Sequence, residues 1–316
     1  MKADNTLTGR NRRHGLLWNL KKSRTTLLML LPATLLVFVF SYLPMSGIVL
    51  AFKQFNYQKG IWGSPWVGFE NFRFFFISGR AFEITRNTFL YNLAFLVVNT
   101  SLKLIFAIIL SEIRARRFKK FAQSAMFFPT FISWVVVGSM FYNIFNYEHG
   151  VLNSVLGVFG IEPIDVYNAP EIWKYLLVFF KAWKDVGYGV VIYLAAIVSI
   201  DTELYEAAEL DGANLFQRIR KITIPLLVPT MVLLVLLDIG QIFKGDFGLF
   251  YQLIGSNGKL FASTDIIDTY VFRALLQSSD VGMAAAAGLY QSVLCFVAII
   301  ATNTIVKRVK SDYALF

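Results

Sequence analysis

The sequence predicts an all-α, polytopic membrane protein with six transmembrane helices and a prominent helical loop on the cytoplasmic side. Three observations predict it. Hydrophobic residues make up 56% of the 316 residues and charged residues only 16%, against about 25% charged in soluble domains. Six apolar stretches are long enough to cross a bilayer, which takes about 20 residues. Alternation at every second residue is absent, which argues against a β-barrel and for helices as the way to pair every backbone group in lipid. The same composition excludes disorder, which needs low hydrophobicity and high charge.

The elements follow in chain order. Residues 1–24 form a basic arm, with Lys2, Arg10, Arg12, Arg13, Lys21, Lys22 and Arg24. Span one, 25–52, carries no charge. Span two, 87–111, carries only Lys103. Span three, 121–147, is uncharged. Span four, 175–200, contains Lys181, Lys184 and Asp185. Span five, 225–254, contains Asp238, Lys244 and Asp246. Span six, 281–306, is uncharged, and a tail of residues 307–316 follows. Residues 25–306 thus read as one membrane domain, without internal repeats or a separate soluble domain. The first apolar run is too long for a cleaved signal peptide, and no small-residue cleavage site follows it.

Lys and Arg fix the orientation. Eighteen lie in the arm, in the loops after spans two and four and in the tail, whereas the alternate segments carry eight. The positive-inside rule then places both termini in the cytoplasm. Residues 53–86, 148–174 and 255–280 face outside. The first of these holds Trp62, Trp66, Phe69, Phe72 and Phe74, which fit an aromatic belt at the interface. The net charge of +10 is read in the same way, as the mark of a cytoplasmic face rather than of nucleic-acid binding. A single cysteine, Cys295, excludes a disulfide framework. His14 and His149 lie too far apart in sequence for a His-rich metal centre.

The loop between spans four and five, residues 201–225, is the most informative stretch. Asp201, Glu203 and Glu206 suit the start of a short helix. Gly212 permits the turn that ends it. Asn214 and Gln217 have the spacing of a capping box for a second helix, and Pro225 suits the first turn of the next span. The result is a helix–turn–helix elbow with a small, flat alanine surface. Glu206-Ala207-Ala208, then Gly212, then Ile222-x-Ile224-Pro225 resembles the EAA loop of bacterial ABC importer permeases, with Ile224 in place of the usual leucine. Asp211-Gly212-Ala213 and Pro229 resemble its form in the maltose-transporter-like carbohydrate family. The stretches 67–72, 150–156 and 264–291 and the terminal Ala314-Leu315-Phe316 resemble the polysaccharide branch of that family.

The resemblance implies a bacterial plasma-membrane permease subunit that forms half of the pathway of an ATP-driven oligosaccharide importer. Glu206, Ala207, Ala208, Asp211, Gly212, Ala213 and Phe216 would dock an ATPase subunit. The implied partners are a second homologous permease, two ATP-binding-cassette subunits and an extracytoplasmic sugar-binding protein. ATP and Mg would be bound by those partners, with no cofactor in this chain. No phosphate-cradling G-x-x-x-x-G-K-[ST] loop is present, and 255–259 has the wrong spacing.

Charges inside spans are costly and face a cavity or a partner. Lys181, Lys184, Asp185, Asp238 and Lys244, with Trp183 and Tyr188 nearby, are therefore candidates for the substrate pathway. The competing expectation is mutual neutralisation, by Lys181 and Asp185 four residues apart on one helix and by Asp238 with a neighbouring lysine. An excess of lysine here would attract an acidic oligosaccharide, such as alginate fragments; a neutral one fits equally well. A self-sufficient secondary transporter or channel is the alternative, but no ion-coupling site or inverted repeat is evident. No catalytic constellation supports an intramembrane enzyme.

Overall fold

The computed structural model describes residues 23–77, 79–310 and 313–314, with the side chain of Phe74 left aside. The basic arm up to Lys22 and the terminal Leu315-Phe316 therefore lie outside the described residues. Among these residues the chain is almost wholly helical, and strand geometry is limited to one isolated bridge between Lys53 and Trp66.

The chain divides after Val49 into two units. The first contains helix α1, Arg24–Val37, which runs on through a π turn, Phe38–Tyr42, into a 3-10 stretch, Leu43–Phe52, whose last three residues belong to the second unit. The 29 residues of this run are long and apolar enough to cross a membrane.

The second unit holds the remaining crossings. Helix α2, Glu70–Ile77, precedes α3, Arg80–Glu112. Helix α4, Arg116–Phe127, passes through a 3-10 turn, Phe128–Phe131, to α5, Trp134–Phe145. Then come α6, Val151–Val158, and the long α7, Pro170–Val198. The elbow consists of α8, Thr202–Leu210, and α9, Leu215–Arg218. It leads through a π turn, Ile219–Thr223, into α10, Ile224–Ile239. Helices α11, Phe247–Ile254, α12, Ile267–Leu276, and α13, Val281–Val309, complete the chain.

Among the described residues, four helical runs are long and apolar enough to cross a membrane, or up to six when each of two bent pairs counts as one span. Helix α7 spans about 43 Å at 1.5 Å per residue, so its charges, not its length, set it apart from the other crossings.

Two expectations are corrected. Span three is bent by 93° between Phe131 and Trp134. Pro129 lies in the 3-10 turn there, and Ser133 starts a new helix by accepting the Val136 N–H at 3.3 Å. Span five does not continue to Ile254: α10 ends at Ile239, and residues 240–246 are irregular before α11 begins. Pro225 stands in the first turn of α10, as expected, although the helical run from Leu215 to Ile239 continues into it through the π turn.

Packing centres on α3 and α7. Toward the start of both helices, Tyr91, Phe95, Trp173 and Leu177 bury against Phe141 of α5 and Phe250 of α11. Toward their other ends, Ala107, Leu110, Val190, Tyr193 and Leu194 form a second cluster with Leu227 of α10. Two glycines of α7 permit close approach. A Cβ at Gly187 would collide with the Met126 carbonyl of α4, and one at Gly189 would collide with the aliphatic stem of Lys103. Lys103 thus crosses α7 over a glycine, which directs its ammonium into the space beside α10.

Candidate functional site

That space is a cavity of about 580 Å³. Helix α3 contributes Asn92, Asn99 and Lys103; α7 contributes Lys181 and Asp185; α10 and the irregular 240–246 segment contribute Asp238, Gln241, Lys244 and Asp246. Of the charged or aromatic residues expected in a pathway, the structure brings together Lys181, Asp185, Asp238 and Lys244. It separates the other three. Trp183 lines an apolar groove against α3 and α4, and Tyr188 stacks on Phe127 with ring centroids 6.2 Å apart. The Lys184 ammonium donates to the carbonyls of Pro129 at 3.2 Å, Thr130 at 3.1 Å and Ile132, and it lies 5.3 Å from the Trp134 ring centroid. Lys184 therefore satisfies the carbonyls that the bend of span three releases.

Lys181 Nζ lies 2.7 Å from Asp185 Oδ2 and 2.7 Å from Asp246 Oδ2. Asp246 Oδ2 also accepts the Trp134 Nε1–H at 3.2 Å, while its Oδ1 caps α11 by accepting the Leu249 N–H at 3.1 Å. Asp246 is thus a structural junction inside the cavity wall. The lysine excess expected from the sequence is absent at the cavity. Lys103, Lys181 and Lys244 face Asp185, Asp238 and Asp246, and Lys184 has turned away. With Lys181 committed between two acids, Lys103, Lys244 and Asp238 are the charges left without an ion pair within 4 Å among the described residues.

The irregular segment is held from several directions. Asn92 Nδ2 donates to the carbonyls of Ile242 at 2.8 Å and Lys244 at 3.2 Å. Gln291 Nε2 donates to the Phe243 carbonyl at 2.8 Å, and the Gly245 N–H donates to Asp268 Oδ2 at 2.7 Å. Irregular backbone at membrane depth persists where the protein pairs it or where it lines a cavity, and here both hold.

Sequence reasoning missed Asn92, Asn99 and Gln241 and assigned Lys103 no role. A signal was present: Asn92, Asn99 and Lys103 fall at i, i+7 and i+11, one face of an otherwise apolar helix. Asn99 is buried, and its Oδ1 has no hydrogen-bond partner among the described residues.

The elbow forms as its local chemistry dictates. Asp201 Oδ1 accepts the Glu203 N–H at 3.0 Å at the start of α8. Gly212, at φ +75°, ends the helix in the left-handed region, with Ala213 N–H donating to the Ala208 carbonyl at 2.9 Å. Asn214 and Gln217 close a reciprocal capping box, at 2.8 and 2.9 Å. Arg218 pairs with Glu209 across the two arms, and the Tyr205 and Thr223 hydroxyls meet at 3.0 Å. Glu206, Ala207, Asp211 and Phe216 are exposed, and Leu210 is 89% exposed. Ala208, Asp211, Gly212 and Ala213 border a shallow hollow of about 360 Å³. An elbow braced within itself, with Ala207, Leu210 and Phe216 exposed beside Glu206 and Asp211, is suited to receive a rigid partner.

Comparison with known proteins agrees with this architecture. Residues 103–311 match the family described as binding-protein-dependent transport system inner membrane component. Protein LplB of Bacillus subtilis is 33% identical over 289 residues, covering 92% of this chain and 90% of LplB. The polygalacturonan/rhamnogalacturonan transport system permease protein YteP of the same organism is 31% identical, covering 97% and 95%. Among solved structures, a chain of a bacterial alginate ABC transporter, in complex with its alginate pentasaccharide-bound periplasmic protein, superposes with a TM-score of 0.82 at 29% identity, covering 93% of this chain and 98% of that one. A chain of a bacterial ABC transporter involved in the import of the acidic polysaccharide alginate gives 0.83 at 30% identity, covering 93% and 99%. This chain therefore belongs to the family of binding-protein-dependent transport system inner membrane components, as a multi-pass permease subunit.

Proposed function

We propose that this permease forms half of the pathway of an ATP-driven importer of acidic oligosaccharides. Its 201–225 elbow docks an ATPase subunit, and its cavity meets the sugar. The elbow carries the reading: a self-braced helix pair keeps Glu206, Ala207 and Phe216 exposed at the spacing of a coupling loop. The second half of the pathway comes from a homologous permease, sugar delivery from an extracytoplasmic binding protein, and ATP and Mg binding from two cassette subunits. Both termini and the elbow lie in the cytoplasm. In a Cys295→Ser background, an impermeant thiol reagent added to intact cells labels a cysteine at Asp165 but not one at Asp211; labelling of the second reverses the topology.

Two observations support an acidic substrate. The similar permease YteP belongs to a polygalacturonan/rhamnogalacturonan transport system, and a similar transporter imports the acidic polysaccharide alginate. In this charge-balanced cavity, Lys103 and Lys244 keep ammonium groups outside any ion pair among the described residues, where a sugar carboxylate could pair with them. A charge-assisted hydrogen bond to a carboxylate contributes about 1.5–3 kcal/mol. Lys244→Gln is therefore expected to lower uptake of a uronate oligosaccharide roughly 10- to 100-fold, with uptake of a neutral oligosaccharide changed far less. Equal loss for both sugars, or no loss, removes Lys244 from substrate recognition.

A further inference from the structure

A second groove, of about 390 Å³, lies between the starts of α3 and α7, at the end of α7 opposite the elbow. Its wall is formed by Leu90, Ala94 and Val178, and its rim carries Arg86, Glu171 and Lys174. Two other polar residues at the groove are already engaged. Asn87 Nδ2 donates to the Ala262 and Asp265 carbonyls, each at 3.2 Å, and the Tyr91 hydroxyl donates to the Ser263 carbonyl at 2.9 Å. The rim charges are not: none forms an ion pair within 4 Å with any described residue. Arg86 reaches only the neighbouring Asn87 Oδ1 at 3.4 Å, and the Lys174 ammonium lies 5.0 Å from the Tyr175 ring centroid.

Depth gives the groove its meaning. At 1.5 Å per residue, α3 and α7 measure about 50 and 43 Å, against a hydrocarbon core of about 30 Å. Each helix thus overhangs the core by roughly 7–10 Å at each end. Arg86 and Lys174 lie six and four residues into their helices, about 9 and 6 Å from the start, at the depth of lipid headgroups. Leu90, Ala94 and Val178 lie deeper, within the hydrocarbon. The groove is cationic and polar at headgroup level and apolar below.

The geometry points to a bound glycerophospholipid. Its phosphodiester sits between Arg86 and Lys174, a headgroup hydroxyl or ammonium donates to Glu171, and one acyl chain follows Leu90, Ala94 and Val178. The rim carries two cations and one anion, and the resulting single positive charge complements the single negative charge of a phosphodiester. A saccharide would leave the aliphatic wall without a polar partner. A neighbouring transmembrane helix would need its own acid to meet the two cations.

The test uses the assembled transporter in nanodiscs containing phosphatidylglycerol with a photoreactive diazirine in its acyl chain. Adducts are mapped by mass spectrometry. Crosslinks are expected at Leu90, Ala94 and Val178. The Arg86→Gln/Lys174→Gln variant should reduce them at least about tenfold, while adducts at exposed Val297 of α13 stay constant and report an intact, embedded protein. Two results would overturn the site: groove adducts unaffected by the double substitution, which is the behaviour of bulk lipid, or efficient crosslinking of Ala94→Cys to the second permease, which identifies a protein helix as the occupant.

Discussion

Glu206→Lys and Gly212→Pro are each expected to abolish ATP-driven transport while leaving the protein in the membrane in normal amounts. Glu206 is exposed and its side chain has no hydrogen bond or ion pair among the described residues, so reversing its charge breaks nothing inside this chain. Any loss of function must come from a surface outside it. Gly212 acts through shape. Its φ of +75° is closed to proline, whose ring fixes φ near −65°, and its N–H donates to the Glu209 carbonyl at 3.0 Å. The substitution re-aims the elbow without touching the clusters that hold the spans together. Sugar-stimulated ATPase activity of the reconstituted transporter should fall by about a hundredfold or more, equivalent to about 2.7 kcal/mol of lost coupling. Normal stimulation in both variants would show that the elbow does not transmit ATP hydrolysis.

Lys181→Gln is expected to act by a different route, through assembly. The ammonium lies 2.7 Å from each of two carboxylates, and the side chains of Lys181, Asp185 and Asp246 are 20%, 32% and 20% exposed. Removing the cation leaves two partly buried acids facing each other, and breaking a buried pair from one side costs about 3–5 kcal/mol. Asp246 also caps α11 and binds Trp134, so the loss reaches the irregular segment and the bend of span three. Little intact transporter should be recovered from membranes. Adding Asp246→Asn should restore much of it, because asparagine can still cap the helix and Asp185 borders the cavity. Full recovery of the single variant would mean that the lysine is free in the cavity and available to substrate.

The contrast between these residues follows the boundary between what the sequence makes legible and what it does not. The elbow is governed by local rules. Gly212, Asn214 and Gln217 act on backbone groups within a few residues, and each does so in the structure as its spacing predicts. The Lys181–Asp185 pair is equally local, at i and i+4 on one helix. Its second acid, Asp246, is 65 residues away and comes into reach only because span five unwinds. Hydropathy does not register that unwinding, since residues 240–254 remain largely apolar whether helical or not. The punctuation is there to be read, in Gly240, Gly245 and the capping Asp246, but it needs support from Asn92, Asp268 and Gln291 on other elements. The 93° bend of span three is similar. Pro129 hints at it, while the Lys184 ammonium that stabilises it comes from α7. An even number of crossings is thus legible from composition. The charge of the cavity is not, because it depends on where long-range contacts send each lysine.

The most direct test of the account is uptake into proteoliposomes. The complete transporter containing this chain is reconstituted with its binding protein outside and ATP inside, and a labelled uronate oligosaccharide is supplied. Accumulation should require hydrolysable ATP, the cassette subunits and the binding protein, and should vanish in the Glu206→Lys variant. Accumulation by this chain without cassette subunits, driven by a proton or sodium gradient, would contradict the account and identify a self-sufficient secondary transporter.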